Sequence, residues 1–258
     1  MSTELHIIPV TGIGDISPGA DLGTIIYEAL HRQDLRLQPH DILVVTQKIV
    51  SKAEGRIVDL DGIEPSAFAR FIAEQSNKDA RHVEVVLRES KRIVRMDRGV
   101  IICETRHGFI CANAGVDESN VGAMHQLTLL PLDPDRSAQA LRSRLQQLAA
   151  RDRKDAAPDI ALIISDTWGR PWRNGQVNMA IGIAGMESMI DYRGHHDPYG
   201  YEMHASVIAV ADELAAVSEL VMGKTERIPV ALIRGYAYIP GEGSARSLIR
   251  DSATDMFR

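Results

Sequence analysis

The chain of 258 residues has only two cysteines and no excess of positive charge. Cys103 and Cys111 both lie in apolar segments, which is typical of reduced thiols in a cytosolic protein. A structural zinc site needs more ligands than two cysteines supply, and a Cys-x-x-Cys spacing is absent. The formal net charge of −6 argues against nucleic-acid binding, which needs a basic surface, but it permits a local basic pocket for an anionic substrate.

Long hydrophobic runs are also missing. No apolar segment approaches the roughly 18 residues of a membrane span, and the first residues lack a basic region followed by an apolar run. These absences predict a cytoplasmic protein without a membrane partner. Hydrophobic residues still make up 45% of the chain, so a core can form and global disorder is excluded.

The hydrophobic pattern predicts strands and helices in mixed order. Apolar periodicity and turn residues predict helices at 22–32, 65–75, 207–222 and from Pro134 onward, with Asp133 as N-cap. Short apolar runs predict strands at 5–10, 41–45, 83–87, 100–104, 109–113, 159–165 and 230–233. No regular βαβ rhythm is visible, so we expect an α+β fold. The polar tail after Gly241 is expected to be loosely packed, and a charged segment marks an internal boundary near 151–158.

Two acidic segments beside small residues carry the strongest chemical signal. Asp117 follows the string Ala114-Gly115-Val116, and Asp166 with Thr167 follows the strand at 159–165. Both segments are predicted to be turns, in which an aspartate more commonly caps a helix than binds a ligand. Two such segments in one chain favour a site for a divalent cation, and Arg170 and Arg173 downstream suit phosphate. The pattern therefore predicts metal-assisted phosphoryl chemistry.

Two further segments could contact phosphate, although each has a plainer interpretation. The loop at 11–19 contains three glycines and could surround a phosphate with backbone N–H groups, but it matches neither a P-loop nor Gly-x-Gly-x-x-Gly. An ordinary strand-to-helix turn explains it equally well. Lys48 and Lys52 follow a buried strand, where they are either phosphate contacts or solvated lysines.

Several strings of this sequence resemble the coenzyme F420-0:γ-glutamyl ligase family. The resemblance covers about residues 5 to 240, with the strings in the family's order, which makes it specific. The strings are PVTGI (9–13), VTQKIVSKAEGR (45–56), ETRHGFICANAGVDESN (104–120), SDTWGRPWR (165–173) and ADELA (211–215).

The resemblance implies a function in coenzyme F420 biosynthesis. GTP would phosphorylate the terminal carboxylate of the precursor F420-0, and L-glutamate would displace phosphate to form an amide, with further γ-linked glutamates. Mg²⁺ or Mn²⁺, two per site, is the implied cofactor, and K⁺ is a further candidate. The family implies a two-subdomain α+β fold, an intertwined homodimer and, for this chain, one ligase unit over 1–258 without the nitroreductase-like domain of some relatives.

The resemblance also implies roles for particular residues. Asp117, Asp166 and Thr167 match metal ligands. Arg170 and Arg173 are the candidate catalytic cations because arginines suit phosphate, and not because of the resemblance. The nucleotide contacts implied are Ile13, Gly14, Asp15, Ile16, Gln47, Lys52 and Asn120. The last nucleotide-binding segment implied is 222–229, which contains Met222, Gly223 and Lys224. Because a charged lysine is not an ordinary metal ligand, either Lys224 contacts phosphate or the second metal is held differently.

Two other functions use the same residues. A metal-dependent phosphohydrolase would need the two aspartates but no amine acceptor. A non-enzymatic nucleotide-binding module would not depend on metal chemistry. Glutamate dependence of nucleotide turnover separates the first from a ligase, and an Asp166→Asn substitution separates the second.

Overall fold

A computed structural model describes residues 4–118, 125–153 and 156–256. In this part of the chain six α-helices and four sheets occur, so the predicted mixed α+β fold is confirmed. The helices are α1 (Leu22–Arg32), α2 (Gln47–Ala53), α3 (Ala67–Ser76), α4 (Ala80–Glu89), α5 (Pro134–Arg153) and α6 (Val210–Met222). The strands are β1 (His6–Val10), β2 (Ile42–Thr46), β3 (Ile57–Asp59), β4 (Ser90–Asp97), β5 (Val100–Thr105), β6 (Ile110–Ala112), β7 (Gln126–Thr128), β8 (Ala161–Arg170), β9 (Arg173–Ala184), β10 (Ile190–Asp191), β11 (Val207–Ile208) and β12 (Val230–Arg234).

The strongest apolar runs form the centre of the main sheet, whose strand order is β1-β12-β2-β8-β9. β2 and β8 are parallel, and the other neighbours are antiparallel. Helices α5 and α6 pack against β9, and α1 packs against α5. Gly182 on β9 allows this approach, because a Cβ there would lie 2.3 Å from the carbonyl oxygen of Pro134. The resulting core buries β2 up to Val45 and the first half of β8.

A second group of buried side chains lies in residues 60–129 of the chain. It is formed by α3, α4, the three-stranded sheet β4-β5-β6 and the pair β3-β7. Cys103 belongs to this group, and its cross-strand partner Cys111 is also buried. Both are free thiols. Burial raises the pKa of both thiols, so they remain protonated. The predicted division into two subdomains, with its boundary near 151–158, stays a prediction.

Most of the predicted helices and strands are present, and three of them differ from the prediction, while α2, β4 and β9 were not predicted. Residues 83–87 were expected to form a strand, but they lie in α4, because Asp79 caps that helix and Val83 and Val86 share its buried face. Residues 207–208 form β11, and the predicted helix begins only at Val210. The helix expected from Pro65 begins at Ala67, with Ser66 as its N-cap.

The tail after Gly241 is packed rather than loose. Asp135, at the start of α5, accepts hydrogen bonds from Ser244 Oγ at 2.5 Å and from the Ala245 backbone N–H at 3.1 Å. Ala245 is fully buried, and Leu248 and Ile249 pack against the main core. A polar composition predicted looseness, but the polar groups here are used to fasten the segment to α5. Within the described residues, no helix is long and apolar enough to cross a membrane.

Candidate active site

The candidate site begins where β2 ends and its parallel pairing with β8 stops. Thr46 on β2 is in register with Ser165 on β8. Gln47 and Lys48 follow β2 directly in the first turn of α2, and Asp166 follows Ser165. The carboxyl ends of parallel strands meet at one edge of a sheet, so the fold gathers these polar side chains beside a rigid core.

The segment that carries Asp166 was expected to be a turn, and this is wrong. Asp166 and Thr167 lie inside β8, which continues to Arg170 and pairs with β9 in a long hairpin. The ladder to β9 keeps this segment extended despite its glycine and charged residues. Asp166 accepts hydrogen bonds from the Thr167 backbone N–H at 2.9 Å and from Trp168 Nε1 at 2.8 Å. The carboxylate is therefore held in one orientation.

The surroundings of Asp166 disfavour its charge. Burial, and to a smaller extent the nearby Asp117 carboxylate, raise the pKa of this carboxyl to about 6. The two hydrogen bonds and the Lys48 ammonium act in the opposite direction. A raised pKa with a named neighbouring carboxylate marks a candidate functional group, and here it also shows that Asp117 and Asp166 are close enough to interact.

A left-handed turn delivers Asp117. Asn113, Ala114 and Gly115 all have positive φ, at 51°, 54° and 71°. Ala114 is the strained member, since a side chain with Cβ disfavours this region and strain of this kind gathers at functional sites. Asp117 then forms an isolated bridge with Thr128, with N–H···O distances of 2.9 and 2.8 Å. Its Oδ2 lies 2.7 Å from Lys48 Nζ.

The end of α6 brings Lys224 to the same place. The helix ends at Gly223, whose φ of 60° reverses the chain as predicted. Lys224 Nζ donates to Thr167 Oγ1 at 2.6 Å and lies 3.0 Å from Glu219 Oε1. Met222, which the resemblance assigns to the nucleotide site, is buried. The structure therefore joins Lys224 to the predicted metal ligand Thr167.

The predicted first nucleotide loop lies near the segment after α6. Asp15 pairs with Arg227, with 2.8 Å between the carboxylate and guanidinium groups, and both side chains are exposed. Ile13 and Ile16 are buried in the main core, so only their backbone groups can meet a ligand. Gly14 has open space at its Cβ position. The two segments that the resemblance assigns to the nucleotide are thus brought together.

The remaining predicted residues are placed less closely. Gln47 is buried, and its Oε1 accepts a hydrogen bond from Ser51 Oγ at 2.8 Å. Lys52 lies in α2, one turn beyond Lys48. Asn120 lies outside the described residues. The roles of all three stay predictions.

Arg170 and Arg173 lie at the far end of the β8–β9 hairpin. They are partners in its register, and Arg170 Nη2 donates to the Asn174 carbonyl oxygen at 3.1 Å. Four strand residues separate Arg170 from Asp166, which corresponds to about 13 Å. The structure does not gather the arginines at the acidic pair, and their catalytic role stays a prediction.

Two residues of this region were absent from the sequence prediction. Asn178 accepts a hydrogen bond from Thr167 Oγ1 at 2.7 Å, and Glu219 pairs with Lys224. Asn178 could have been found if residues 165–175 had been interpreted as a hairpin, because it lies opposite Thr167 in the register. Glu219 and Lys224 are close neighbours in the chain at the end of α6, but no sequence signal marks their ion pair.

The side chains fit a hard divalent cation that is completed by other oxygens. Asp117, Asp166 and Thr167 offer two carboxylates and a hydroxyl, while no group of three or more His, Cys, Asp or Glu gathers in the described ranges. Mg²⁺ is commonly held by one or two carboxylates, with phosphates and waters filling the other positions. The Lys48 ammonium already stands beside Asp117 as a cation at this place.

Comparison with known proteins gives a consistent result over nearly the whole chain. Residues 12–235 match the family model described as F420-0:Gamma-glutamyl ligase. The chain is 43% identical over 257 residues to the coenzyme F420:L-glutamate ligase of Methanothermobacter thermautotrophicus, covering 98% of this chain and 99% of the relative. It is also 43% identical over 259 residues to the ligase of that name from Methanopyrus kandleri, covering 98% of each chain. The relative of that name from Methanocaldococcus jannaschii is 42% identical over 224 residues, 86% of each chain.

The match and the acidic, lysine-bearing edge of the sheet together define an enzyme of the ligase class. The chain belongs to the F420-0:gamma-glutamyl ligase family, as the strings in its sequence indicated.

Proposed function

We propose that this enzyme adds L-glutamate to the coenzyme F420 precursor F420-0, using GTP, and then adds further γ-linked glutamates. The observation that carries the proposal is the end-to-end match to relatives named coenzyme F420:L-glutamate ligase, at 43% identity over 98% of the chain. The contacts of Lys48 with Asp117 and of Lys224 with Thr167 support it. Phosphoryl transfer depends on positioning the reacting groups and on neutralising phosphate charge.

The proposed reaction has two steps. A carboxylate oxygen of the precursor attacks the γ-phosphorus of GTP, the bond to the β–γ bridging oxygen breaks, and GDP leaves. The amine of L-glutamate then attacks the carbon of the acyl phosphate, its proton passes to solvent, and phosphate leaves as the amide forms. Activating the carboxylate in this way makes an otherwise poor leaving group good.

In this proposal the chain's own residues divide the work of binding and orientation. Asp117, Asp166 and Thr167 would hold Mg²⁺ or Mn²⁺, which neutralises phosphate charge when bound. The hydrogen bonds that fix Asp166 keep that ligand oriented. Lys224 suits a phosphate better than a metal, because an ammonium only donates hydrogen bonds.

The nucleotide would lie along three segments. Residues 13–16, Gln47 with Lys52, and residues 222–224 are the proposed contacts, together with Asn120. The Asp15–Arg227 pair supports this arrangement, since it holds the first and last segments close to one another. Arg170 and Arg173 are proposed to attract the anionic substrate. K⁺ is a further proposed cofactor, and the enzyme is proposed to be a homodimer.

The deciding experiment is mass spectrometry of F420-0 after incubation with the protein, GTP, L-glutamate and Mn²⁺. We expect products spaced by one glutamyl unit, present with GTP and absent without it. A matched reaction with ATP tests the choice of nucleotide. Omission of L-glutamate should stop both the added mass and most release of phosphate, because a ligase needs all of its substrates.

Two results would contradict the proposal. GTP consumption with no added mass, whether or not L-glutamate is present, would indicate a phosphohydrolase. An unchanged product series after Asp166→Asn substitution would show that the acidic pair has no part in the reaction.

A further inference from the structure

Two lysine ammonium groups rest on oxygens that the proposed function assigns to metal ions. Lys48 Nζ lies 2.7 Å from Asp117 Oδ2, and Lys224 Nζ lies 2.6 Å from Thr167 Oγ1. The Lys48 ammonium also stabilises the charged form of Asp166, so it acts on both carboxylates. A metal ion and a lysine ammonium therefore cannot occupy either of these positions at the same time.

We propose that Lys48 and Lys224 are resident counter-ions of the free enzyme, which leave the acidic ligands for the nucleotide phosphates when metal and nucleotide bind together. This inference rests on the proposed function, because it requires a metal-nucleotide complex at this site. It goes further by predicting that metal and nucleotide bind with strong mutual dependence.

The balance of charge gives the reason. Asp117, Asp166 and Lys48 carry two negative charges and one positive charge when ionised. A divalent cation added beside an unmoved ammonium would meet a like charge on a shared ligand, which disfavours binding. A phosphate group supplies the missing negative charge and offers the ammonium a new partner. Metal alone should therefore bind weakly, and nucleotide should strengthen it.

The ligand set points in the same direction. Two carboxylates and one hydroxyl leave coordination positions open on an octahedral ion, and phosphate oxygens are the usual ligands there. Binding free energies are reciprocal, so a nucleotide that strengthens metal binding is itself bound more tightly in the presence of metal. The site thus favours the complete metal-nucleotide complex over either part.

The two lysines can move without a change in the backbone. Each ammonium stands on a flexible stem, and a rotamer change shifts it by several ångströms while α2 and the end of α6 stay in place. Lys48 is the better test of the two. Its side chain is 22% exposed and that of Lys224 is 59% exposed, so the Lys48–Asp117 pair is the less screened by solvent.

The experiment is calorimetric titration of Mn²⁺ into wild-type protein and the Lys48→Met variant, each with and without saturating GDP. The Lys91→Met variant is the matched control, because it removes the same charge from a lysine that pairs with Glu104 elsewhere. In wild-type protein and the control we expect GDP to tighten Mn²⁺ binding by at least about 10-fold. In Lys48→Met we expect Mn²⁺ alone to bind about 10-fold more tightly, and the effect of GDP to shrink.

A second readout and two further variants guard against a folding defect. A bound ion raises the unfolding temperature, so Mn²⁺ alone should stabilise Lys48→Met more than wild-type protein. Lys48→Gln should behave like Lys48→Met, and Lys224→Met should show a smaller change in the same direction.

The outcomes separate this inference from the proposed function. Mn²⁺ affinity that is equal in wild-type and folded Lys48 variants, with GDP still tightening it, would overturn the inference and leave the metal-nucleotide site intact. Equal changes in Lys48→Met and Lys91→Met would also overturn it, because net charge alone would then explain the effect. No Mn²⁺ binding under any condition would overturn both.

Discussion

At the scale of single residues, partly buried charges of both signs lie close together in the site. Asp166 is partly buried, and Asp117 lies near enough to oppose its ionisation. The Lys48 ammonium favours the ionised form of Asp166, and the hydrogen bonds from Thr167 and Trp168 favour it as well. A carboxylate held in this way is oriented for a ligand. When no ligand is bound, its ionised form destabilises the folded protein.

The raised pKa of Asp166 predicts how stability changes with pH. Its pKa is about 6 in the folded protein, against an ordinary aspartate value of 3.8, so the folded state binds the extra proton between these values. As pH rises from about 4 to about 6, this group should lower the free energy of unfolding by at most about 3 kcal/mol, and contact with solvent reduces the effect.

The Asp166→Asn variant lacks this titration and serves as the control. Urea unfolding of the metal-free proteins at pH 4 and pH 7 should show the wild-type protein losing stability relative to the variant as pH rises. A constant difference between the two proteins over that range would refute the prediction.

Asp117→Ala should abolish ligase activity while leaving the fold intact. Asp117 holds its bridge to Thr128 through the backbone, so truncation of the side chain leaves that contact in place. We expect loss of at least about 100-fold in kcat/KM, measured by glutamate incorporation, because a charged group at the reacting phosphates is removed. The circular dichroism spectrum should not change.

The neighbouring Glu118 gives a matched control for Asp117. Its carboxylate is 65% exposed and lies 3.7 Å from His82 Nδ1. Glu118→Ala should keep most of the activity. An active Asp117→Ala protein, or equal losses in both variants, would show that Asp117 has no special role.

At the scale of elements, α1 is joined to α5 by one side chain. Asp21 caps α1 by accepting a hydrogen bond from the Thr24 backbone N–H at 3.1 Å, and its Oδ2 lies 2.6 Å from Arg144 Nη2 on α5. The Arg144 hydrogen bond is the largest of the effects that lower the pKa of Asp21 to about 2. One carboxylate thus performs both capping and pairing.

Two substitutions of Asp21 separate those contributions. Asp21→Ala removes cap and pair and should cost about 1–2 kcal/mol of unfolding free energy. Asp21→Asn keeps a good cap and loses only a half-exposed ion pair, so it should cost less than about 1 kcal/mol.

The acid dependence of these variants follows from the lowered pKa. The ionic contribution of Asp21 is present above pH 4 and is lost as pH falls towards 2. The difference between wild-type protein and Asp21→Asn in chemical unfolding should therefore vanish in acid. A larger loss in Asp21→Asn than in Asp21→Ala at pH 7 would contradict the capping role.

At the scale of the whole molecule, the candidate site joins the two groups of buried side chains. Ile49, next to Lys48, belongs to the main core, and Val116, next to Asp117, belongs to the second. The Lys48–Asp117 ion pair therefore connects residues whose neighbours are anchored in different cores. Any shift between these cores would change the distance between Asp117, a proposed metal ligand, and Lys48, a proposed phosphate contact.

The proposed homodimer predicts a mass in solution of twice the 28.4 kDa of one chain. The segment between the paired strands β10 and β11 supports it, because it carries exposed aromatic side chains of the kind that is enriched at protein interfaces. Between these strands Tyr199 and Tyr201 are exposed, at 96% and 64%, and are candidates for contact with a second copy. Light scattering after size-exclusion chromatography measures the mass.

The variant with Tyr199→Ser and Tyr201→Ser should lower the dimer fraction. The matched control replaces Phe68 and Phe71, which are exposed on α3, with serine and should not. A monomer at concentrations where the enzyme is active would refute the homodimer, and equal effects in both double variants would refute this contact surface.

The amino-acid sequence was enough to predict the long periodic helices and strands and to identify the family. Helix α1 was predicted with its observed bounds, since Leu22, Ile26 and Leu30 provide an apolar face within one segment. The types of residue in the candidate site were also visible, because carboxylates, lysines and small residues are rare together beside apolar strands. Near-complete strings then sufficed to identify the family, which the comparisons confirmed.

The secondary structure and the contacts of short or polar segments could be assigned only from the folded structure. The valines at 83–86 fit a strand or a helix, and packing against α3 selects α4. Asp166 stands in a strand because β9 returns to pair with it, and Lys48 and Lys224 meet Asp117 and Thr167 because distant elements converge. Local propensity acts over a few residues, whereas these contacts join residues separated by 69 and 57 positions, which only the folded core brings together.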